Sequence, residues 1–143
     1  MSLPPNPGDE QLRALLERTR RIAVIGLSPK SSRDSHRVSA YMQRAGYQIL
    51  PIYPREETIL GARVYRSMSE IEEPVDLINV FRRSEELPSV AADILASPHQ
   101  NKPAVWFQLE CIHEGAFETL IQAGHTVIYD ECLMVEHRRL MRP

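Results

Sequence analysis

The sequence predicts an α/β protein with a doubly wound, mainly parallel sheet and helices on both faces. Short apolar segments alternate along the chain with segments in which apolar residues recur every three or four positions, as in amphipathic helices. The short segments are apolar on both faces, which is typical of parallel strands buried between two layers of helices. Right-handed crossovers between such strands generate the doubly wound arrangement.

The composition fits a single domain that spans residues 1–143. A chain of 143 residues with 43% hydrophobic and 25% charged residues is long enough to bury a core. Its net charge of -2 gives no general attraction to nucleic acid. No apolar run approaches the length of a membrane span, and the first residues lack the pattern of a signal peptide. We therefore expect a cytoplasmic protein that binds neither nucleic acid nor membrane.

The first part of the chain predicts an arm, a helix and a βαβ unit. Residues 1–8 are rich in proline and are expected to form a loose arm, and Asp9 is suited to cap a helix that runs to about Thr19. Gly46 ends the next helix, because a residue without a Cβ takes the left-handed cap easily. The βαβ unit consists of a strand at 22–26, a loop at 27–33, a helix at 34–45 and a strand at 48–53.

The second part of the chain continues this alternation after an irregular stretch at 55–74. Pro88 falls in the first turn of a predicted helix, where a missing N–H costs little. Gly124 ends the helix that is predicted at 114–123. The predicted elements are a strand at 75–81, a helix at 84–96, a strand at 103–108, a helix at 114–123, a strand at 126–129 and a short closing helix at 136–141.

A ligand site is expected where the strands end. In doubly wound sheets, ligands bind outside the carboxyl ends of the strands, at the point where the strand order reverses. The segments that directly follow the strands are therefore expected to converge. These segments are 26–33, 54–55, 81–83 and 108–110.

The segment from Gly26 to His36 carries side chains suited to a phosphate at a helix start, where N–H groups are unpaired. Gly26 is its only glycine, so it is neither the three-glycine dinucleotide fingerprint nor a loop ending in Gly-Lys-Ser/Thr. A solvated polar turn, capped by Asp34 or a neighbour, explains the same residues. The candidate phosphate donors are Ser28, Lys30, Ser31, Ser32, Arg33, Ser35 and His36.

Basic residues also follow two further strands. Arg55 comes just after the second strand. An acidic side chain at this position would favour the free 2′-hydroxyl of NAD, whereas a basic side chain suits an additional phosphate. Arg82 and Arg83 follow the third strand and can hold a phosphate or stack on a base. A solvated charged turn explains Arg55 as well, and pairing with Glu85 and Glu86 explains the two arginines as well.

The two cysteines give no metal or nucleophile signature. Cys111 and Cys132 each have a histidine and a glutamate nearby in sequence, but neither group has the spacing of a closed zinc site. A buried cysteine that packs as a small hydrophobic residue is the commoner case. We therefore expect no metal site and no catalytic residue.

Three runs of sequence together resemble the small stand-alone CoA-binding proteins of bacteria and archaea. Those proteins are similar to the CoA-binding domain of the succinyl-CoA synthetase α-subunit. The runs are VIGLSPKSSRDSHRVSAYMQRAGYQILPIYP, GARVYRSMSEIEEPVDLINVFRRSEELP and AVWFQLECIHEGAFETLIQAGHTVIYDECLMVEH, in the family's order. The family usually has Asn-Pro after its second strand, where this chain has Tyr53 before Pro54. No motif matches the phosphohistidine loop of the synthetase.

The resemblance implies a Rossmann-like fold and a binding site for coenzyme A. It implies that the loop 26–36 carries the CoA phosphates, that Pro54 with its neighbours and the segment 80–83 flank the adenosine end, and that 108–110 lies near the pantetheine. The predicted CoA-binding residues are Gly26, Leu27, Ser28, Lys30, Ser31, Ser32, Arg33, Ser35, His36, Pro54, Arg55, Val80, Phe81, Arg82, Arg83 and Gln108.

The resulting hypothesis is a small cytoplasmic protein that binds CoA or acyl-CoA and has no evident catalytic apparatus. One alternative is a reductase-like protein that binds NAD(P), against which stands the missing glycine triplet. The other alternative is an interaction module that keeps the scaffold but binds no ligand. The sequence leaves open a homodimer or an unidentified protein partner.

Overall fold

A computed structural model describes residues 3–141 of the chain and confirms the predicted fold class. The main sheet has five strands, all parallel, in the spatial order β2-β1-β5-β6-β7. A two-stranded antiparallel hairpin, β3-β4, lies in the irregular stretch after β2. The strands are β1 (Arg21–Ile25), β2 (Gln48–Ile52), β3 (Thr58–Ile59), β4 (Ala62–Arg63), β5 (Leu77–Val80), β6 (Ala104–Phe107) and β7 (Val127–Ile128).

Helices cover both faces of the sheet. The helices are α1 (Asp9–Arg18), α2 (Asp34–Arg44), α3 (Leu87–Ala96), α4 (Glu114–Gln122) and α5 (Leu133–Leu140), with 3₁₀ turns at Met68–Glu70 and Ser84–Glu86. Helices α1, α2 and α5 pack on one face, and α3 and α4 pack on the other. The sheet is therefore the middle of three layers, as in doubly wound proteins.

The strands bury side chains on both faces, which explains why their sequences are apolar throughout. Along β1, Ile22 and Val24 belong to the core under α1, α2 and α5, whereas Ala23 and Ile25 belong to the core under α3 and α4. Trp106 is fully buried in the first of these cores, as expected from its place in an apolar strand. This period of two places successive residues on opposite faces.

Several element boundaries differ from those that the sequence predicts. Asp9 is the first helical residue of α1 rather than its cap, and its carboxylate binds Arg139 of α5 with two contacts of 2.9 Å. The helix predicted at 84–96 begins as a 3₁₀ turn and becomes α-helical only at Leu87. Helix α5 begins at Leu133, not Glu136. The sequence does not reveal this start, because the N-cap residue Cys132 is not a capping residue type and forms no side-chain capping bond.

The N-terminal arm is attached to the sheet along its described part, so the expectation of a loose arm at 1–8 is wrong there. The side-chain amide of Asn6 donates to the carbonyl of Tyr129 at 2.9 Å and accepts from its N–H at 3.0 Å. The Tyr129 hydroxyl donates to the carbonyl of Pro4 at 3.0 Å. These bonds hold the arm beside the end of β7. Residues 1 and 2 lie outside the described residues.

The order of the strands sets the position of the site. The chain leaves β1, adds β2 on one side of it, and then returns to place β5 on its other side. The crossover connections therefore diverge at the carboxyl ends of β1 and β5, and a crevice opens there. Within residues 3–141, no helix is long and apolar enough to cross a membrane.

We expect Asp76→Ala to destabilise the fold, because Asp76 joins β5 to the start of β1. Its carboxylate accepts the backbone N–H of Arg20 at 2.8 Å and that of Arg21 at 3.0 Å. Removing the acceptor should lower the free energy of unfolding by about 1–2 kcal/mol, measured by urea denaturation. Glu72→Ala, in the same connection but exposed, is the control. Equal stability of the two variants would contradict this role.

Candidate functional site

A cleft of about 690 Å³ lies outside the carboxyl ends of β1, β2 and β5. It occupies the crevice where the strand order reverses, which is the position that the sequence predicts. The residues that line it come from the loop after β1, the start of α2, the end of β2 and the segment after β5. They are Gly26, Ser28, Lys30, Arg33, Asp34, Ser35, Tyr53, Pro54, Phe81, Arg82, Arg83 and Glu86.

Gly26 forms the floor of this cleft through a close backbone approach. Its φ is +86°, and a Cβ there would lie 2.1 Å from the carbonyl oxygen of Phe81 and 3.1 Å from Cδ of Arg82. The Gly26 N–H donates to the carbonyl of Ile52 at 3.0 Å. Only glycine permits this contact, so residue 26 brings the ends of β1, β2 and β5 together.

The loop after Gly26 is organised by its serine hydroxyls. The Ser35 oxygen accepts the N–H of Ser28 at 3.0 Å, and the Ser28 oxygen accepts the N–H of Lys30 at 3.1 Å. The N–H of Arg33 donates to the carbonyl of Lys30 at 3.0 Å, which closes the turn before α2. Each hydroxyl still has its hydrogen to donate. The two serines therefore shape the loop and remain donors toward the cleft.

The N-terminus of α2 opens into the cleft without a capping side chain. Its N-cap residue is Arg33, and among the described residues no side chain accepts from the first turn. Asp34 does not form the expected cap, because it is the first residue inside the helix, and its carboxylate pairs with the guanidinium of Arg37. The first N–H groups of α2 and the positive end of the helix dipole are thus available to an anion.

The cleft also contains a carboxylate that pairs with its arginines. Arg82 donates from Nε to one oxygen of Glu86 at 3.2 Å and from Nη2 to the other at 3.3 Å. Arg83 donates from Nη2 to Glu86 at 3.4 Å and lies 3.9 Å from Glu85. These bonds confirm the pairing that the sequence offered as one explanation of the two arginines.

The charges that line the cleft are predominantly positive. The hydrogen bond from Arg83, together with Arg82, holds the pKa of Glu86 below its usual range, and Glu86 in turn raises the pKa of Arg83. Glu86 and Arg83 are therefore both charged at neutral pH. Lys30 and Arg33 add two further cations, which outnumber the remaining carboxylate of Asp34. The cleft suits a ligand with several negative charges.

The sequence-predicted site residues divide into two groups. Those at the cleft are Gly26, Ser28, Lys30, Arg33, Ser35, Pro54, Phe81, Arg82 and Arg83. Those away from its lining are Leu27, Ser31, Ser32, His36, Arg55, Val80 and Gln108. Leu27 and Val80 are fully buried, one in each core. Gln108 is also buried, and its side-chain oxygen accepts the N–H of Leu133 at 3.4 Å.

Three lining residues were not among the predicted site residues, namely Asp34, Tyr53 and Glu86. Tyr53 directly follows β2, so the rule that places ligands beyond strand ends was a sufficient signal for it. Glu86 lies three and four residues after the two arginines, a spacing at which ion pairs form on helical turns. This pairing is the alternative to ligand binding that the sequence predicts, and the two are compatible.

Neither of the two cysteines is among the residues that line the cleft. Cys111 and Cys132 are both buried and form no disulfide. Burial raises the pKa of the Cys111 thiol, which keeps it protonated at neutral pH. Within residues 3–141, no group of three His, Cys, Asp or Glu side chains is placed to hold a metal ion.

Comparison with known proteins identifies the family. A family model described as a CoA binding domain matches residues 20–138, which include every residue of the cleft. The chain belongs to the CoA-binding domain family. This confirms the resemblance to small CoA-binding proteins that the sequence showed, and the Rossmann-like fold that it implied.

Relatives of this CoA-binding domain cover almost its entire length. The uncharacterized protein YneT of Bacillus subtilis is 43% identical over 132 residues, which are 92% of this chain and 96% of that protein. The structure of cell-free ID.343 from Thermus thermophilus has a TM-score of 0.87 at 36% identity and covers 94% of this chain and 99% of its own. A hypothetical protein from Pyrococcus horikoshii has a TM-score of 0.89 at 28% identity, with 99% of each chain covered.

We expect Gly26→Ala to destabilise the CoA-binding domain more than Gly46→Ala does. Both glycines have positive φ, but a Cβ at Gly46 meets nothing within 4 Å, whereas one at Gly26 meets the Phe81 carbonyl. Gly46→Ala should cost about 1 kcal/mol from backbone strain alone, and Gly26→Ala at least about 2 kcal/mol. Thermal unfolding measures both. Equal losses would show that the close approach at the cleft floor contributes nothing.

Proposed function

We propose that this protein binds coenzyme A in the cleft at the carboxyl ends of β1, β2 and β5. One observation supports the proposal above all. This chain belongs to the CoA-binding domain family, and one cleft in it combines an uncapped helix N-terminus with an excess of cationic side chains. A volume of about 690 Å³ is within the usual range of ligand pockets, and it suits the nucleotide part of CoA.

The pyrophosphate of CoA binds at the start of α2. The free N–H groups of the first turn donate to its oxygens, and the hydroxyls of Ser28 and Ser35 add two more donors. Lys30 and Arg33 lie on the loop that leads into the helix and supply positive charge. Ser31 and Ser32 lie in this loop and His36 lies in α2, but all three are outside the lining, so they contribute less.

The 3′-phosphate of CoA binds at Arg82 and Arg83. A guanidinium presents two parallel N–H donors that match two phosphate oxygens, and Arg82 already presents such a pair to Glu86. The adenosine then lies between these arginines and the end of β2, where Tyr53 and Pro54 line the cleft. The pantetheine leaves toward the segment 108–110, which the family resemblance implies.

The rival function as an NAD(P)-dependent reductase has less support. The loop after β1 contains Gly26 alone, so it lacks the glycines that let a backbone approach a dinucleotide pyrophosphate. The proposal also includes CoA or acyl-CoA as the ligand, a cytoplasmic location and the lack of an evident catalytic apparatus. Binding is its central element, and the other parts depend on it.

We expect alanine at both Arg82 and Arg83 to weaken CoA binding by about tenfold or more, because each guanidinium loses a charge-assisted bond to the 3′-phosphate. Dephospho-CoA lacks that phosphate, so its affinity should fall by no more than about threefold. Isothermal titration calorimetry with both ligands measures the difference. Equal losses would contradict the assignment of the two arginines.

Two controls accompany this measurement. Lys30→Ala should weaken CoA and dephospho-CoA alike, because both ligands carry the pyrophosphate. Arg44→Ala removes an exposed cation at the opposite end of α2 and should change neither affinity. No binding of CoA by the wild-type protein, or tighter binding of NADPH than of CoA, would overturn the proposed function.

A further inference from the structure

Glu86 is a carboxylate within an otherwise cationic part of the cleft. It ends the 3₁₀ turn Ser84–Glu86, lines the cleft, and has a side chain that is 30% exposed. A negative charge here opposes the binding of any anion, so its presence in an anion site requires an explanation.

The side chain of Glu86 occupies the donors that a phosphate needs. Its two oxygens accept Nε and Nη2 of Arg82 at 3.2 and 3.3 Å. One of them also accepts Nη2 of Arg83 at 3.4 Å, and the other also accepts the backbone N–H of Arg83 at 3.4 Å. A guanidinium binds a phosphate in the same way, with two parallel N–H groups that donate to two oxygens. Glu86 therefore takes the place of a phosphate at this subsite.

The backbone around Glu86 is fixed, so only its side chain is free to leave. The Ser84 hydroxyl donates to the carbonyl of Glu110 at 3.1 Å and accepts the N–H of Ile112 at 3.0 Å. These bonds tie the turn to the loop after β6. The residue after Glu86, Leu87, is fully buried at the start of α3. Displacement of Glu86 is thus a rotation of a partly exposed side chain.

We propose that Glu86 is an internal competitor that closes the arginine subsite in the free protein and is displaced by a phosphate monoester of the ligand. A phosphate monoester carries close to two negative charges at pH 7, whereas Glu86 carries one. The phosphate therefore displaces the glutamate, but a hydroxyl or a carboxylate does not. Glu86 makes the cleft selective for ligands that carry a terminal phosphate.

This inference rests on the proposed function and extends it to specificity. Two classes of nucleotide ligand are distinguished by the presence or absence of a terminal phosphate. CoA, with its 3′-phosphate, opens the subsite, and dephospho-CoA leaves the ion pairs of Glu86 intact. Glu86 does not itself contact the bound ligand, so it acts as a positioning residue through the two arginines.

We expect Glu86→Gln to raise the affinity for CoA by about tenfold at low salt, because the arginines lose the carboxylate that competes for them. The affinity for dephospho-CoA should rise by no more than about threefold, from the change in overall charge alone. Calorimetric titration of the full-length variant with both ligands gives the two ratios. The selective gain for CoA should shrink as salt is added.

Glu85→Gln is the matched control. Glu85 belongs to the same turn and has the same charge, but its side chain is 72% exposed, its nearest contact to Arg83 is 3.9 Å, and it does not line the cleft. It should change both affinities by no more than about threefold. A selective gain for CoA in Glu85→Gln as large as in Glu86→Gln would overturn the proposal, since general electrostatics would then explain both.

The outcomes separate the two proposals. A wild-type protein that does not bind CoA would refute the proposed function. A wild-type protein that binds CoA, with Glu86→Gln raising CoA and dephospho-CoA affinity equally, would refute only the role of Glu86. Thermal unfolding checks that the variant is folded. If it is not, Glu86→Asp retains the charge with a shorter reach, and a selective but smaller gain for CoA is then expected.

Discussion

The cleft depends on the contact between two backbones, those of Gly26 and Phe81. A side chain at residue 26 would begin 2.1 Å from the Phe81 carbonyl, so the chain tolerates only a hydrogen there. Because these segments touch, the arginines that follow β5 line the same cleft as the start of α2. A wider separation would leave a helix N-terminus and an ion-pair cluster as two unrelated surface features.

The charges of the cleft are arranged around the same contact. Several cations close together repel one another, and the folded state must offset that repulsion. Glu86 does so for Arg82 and Arg83, whereas Lys30 and Arg33 lie exposed on the loop before α2. One half of the cleft is thus partly neutralised by a carboxylate of its own, whereas the cations of the other half lie exposed on a loop.

Much of this architecture could be predicted from the sequence, because segments with apolar residues on both faces predict the buried parallel strands. The placement of single side chains was harder. Val80 and Phe81 were both assigned to the site, but successive strand residues point in opposite directions, and Val80 lies in the core. Leu27 follows a glycine and is buried in the core under α1, α2 and α5, which no local pattern reveals. Asn6 bonds to Tyr129, which lies 123 residues further along the sequence, and the local sequence around either residue does not predict such a contact.

The attachment of the N-terminal arm has a consequence for the two outer margins of the main sheet. Asn6 caps the backbone beside the β7 margin of the sheet. On the β2 margin, Pro51 has no N–H to offer, and its carbonyl already accepts the N–H of Tyr65. Since both margins are partly occupied, a neighbouring molecule finds few partners for extending the sheet by a further strand. Extension of this sheet into a continuous intermolecular β-structure is therefore opposed at both of its margins.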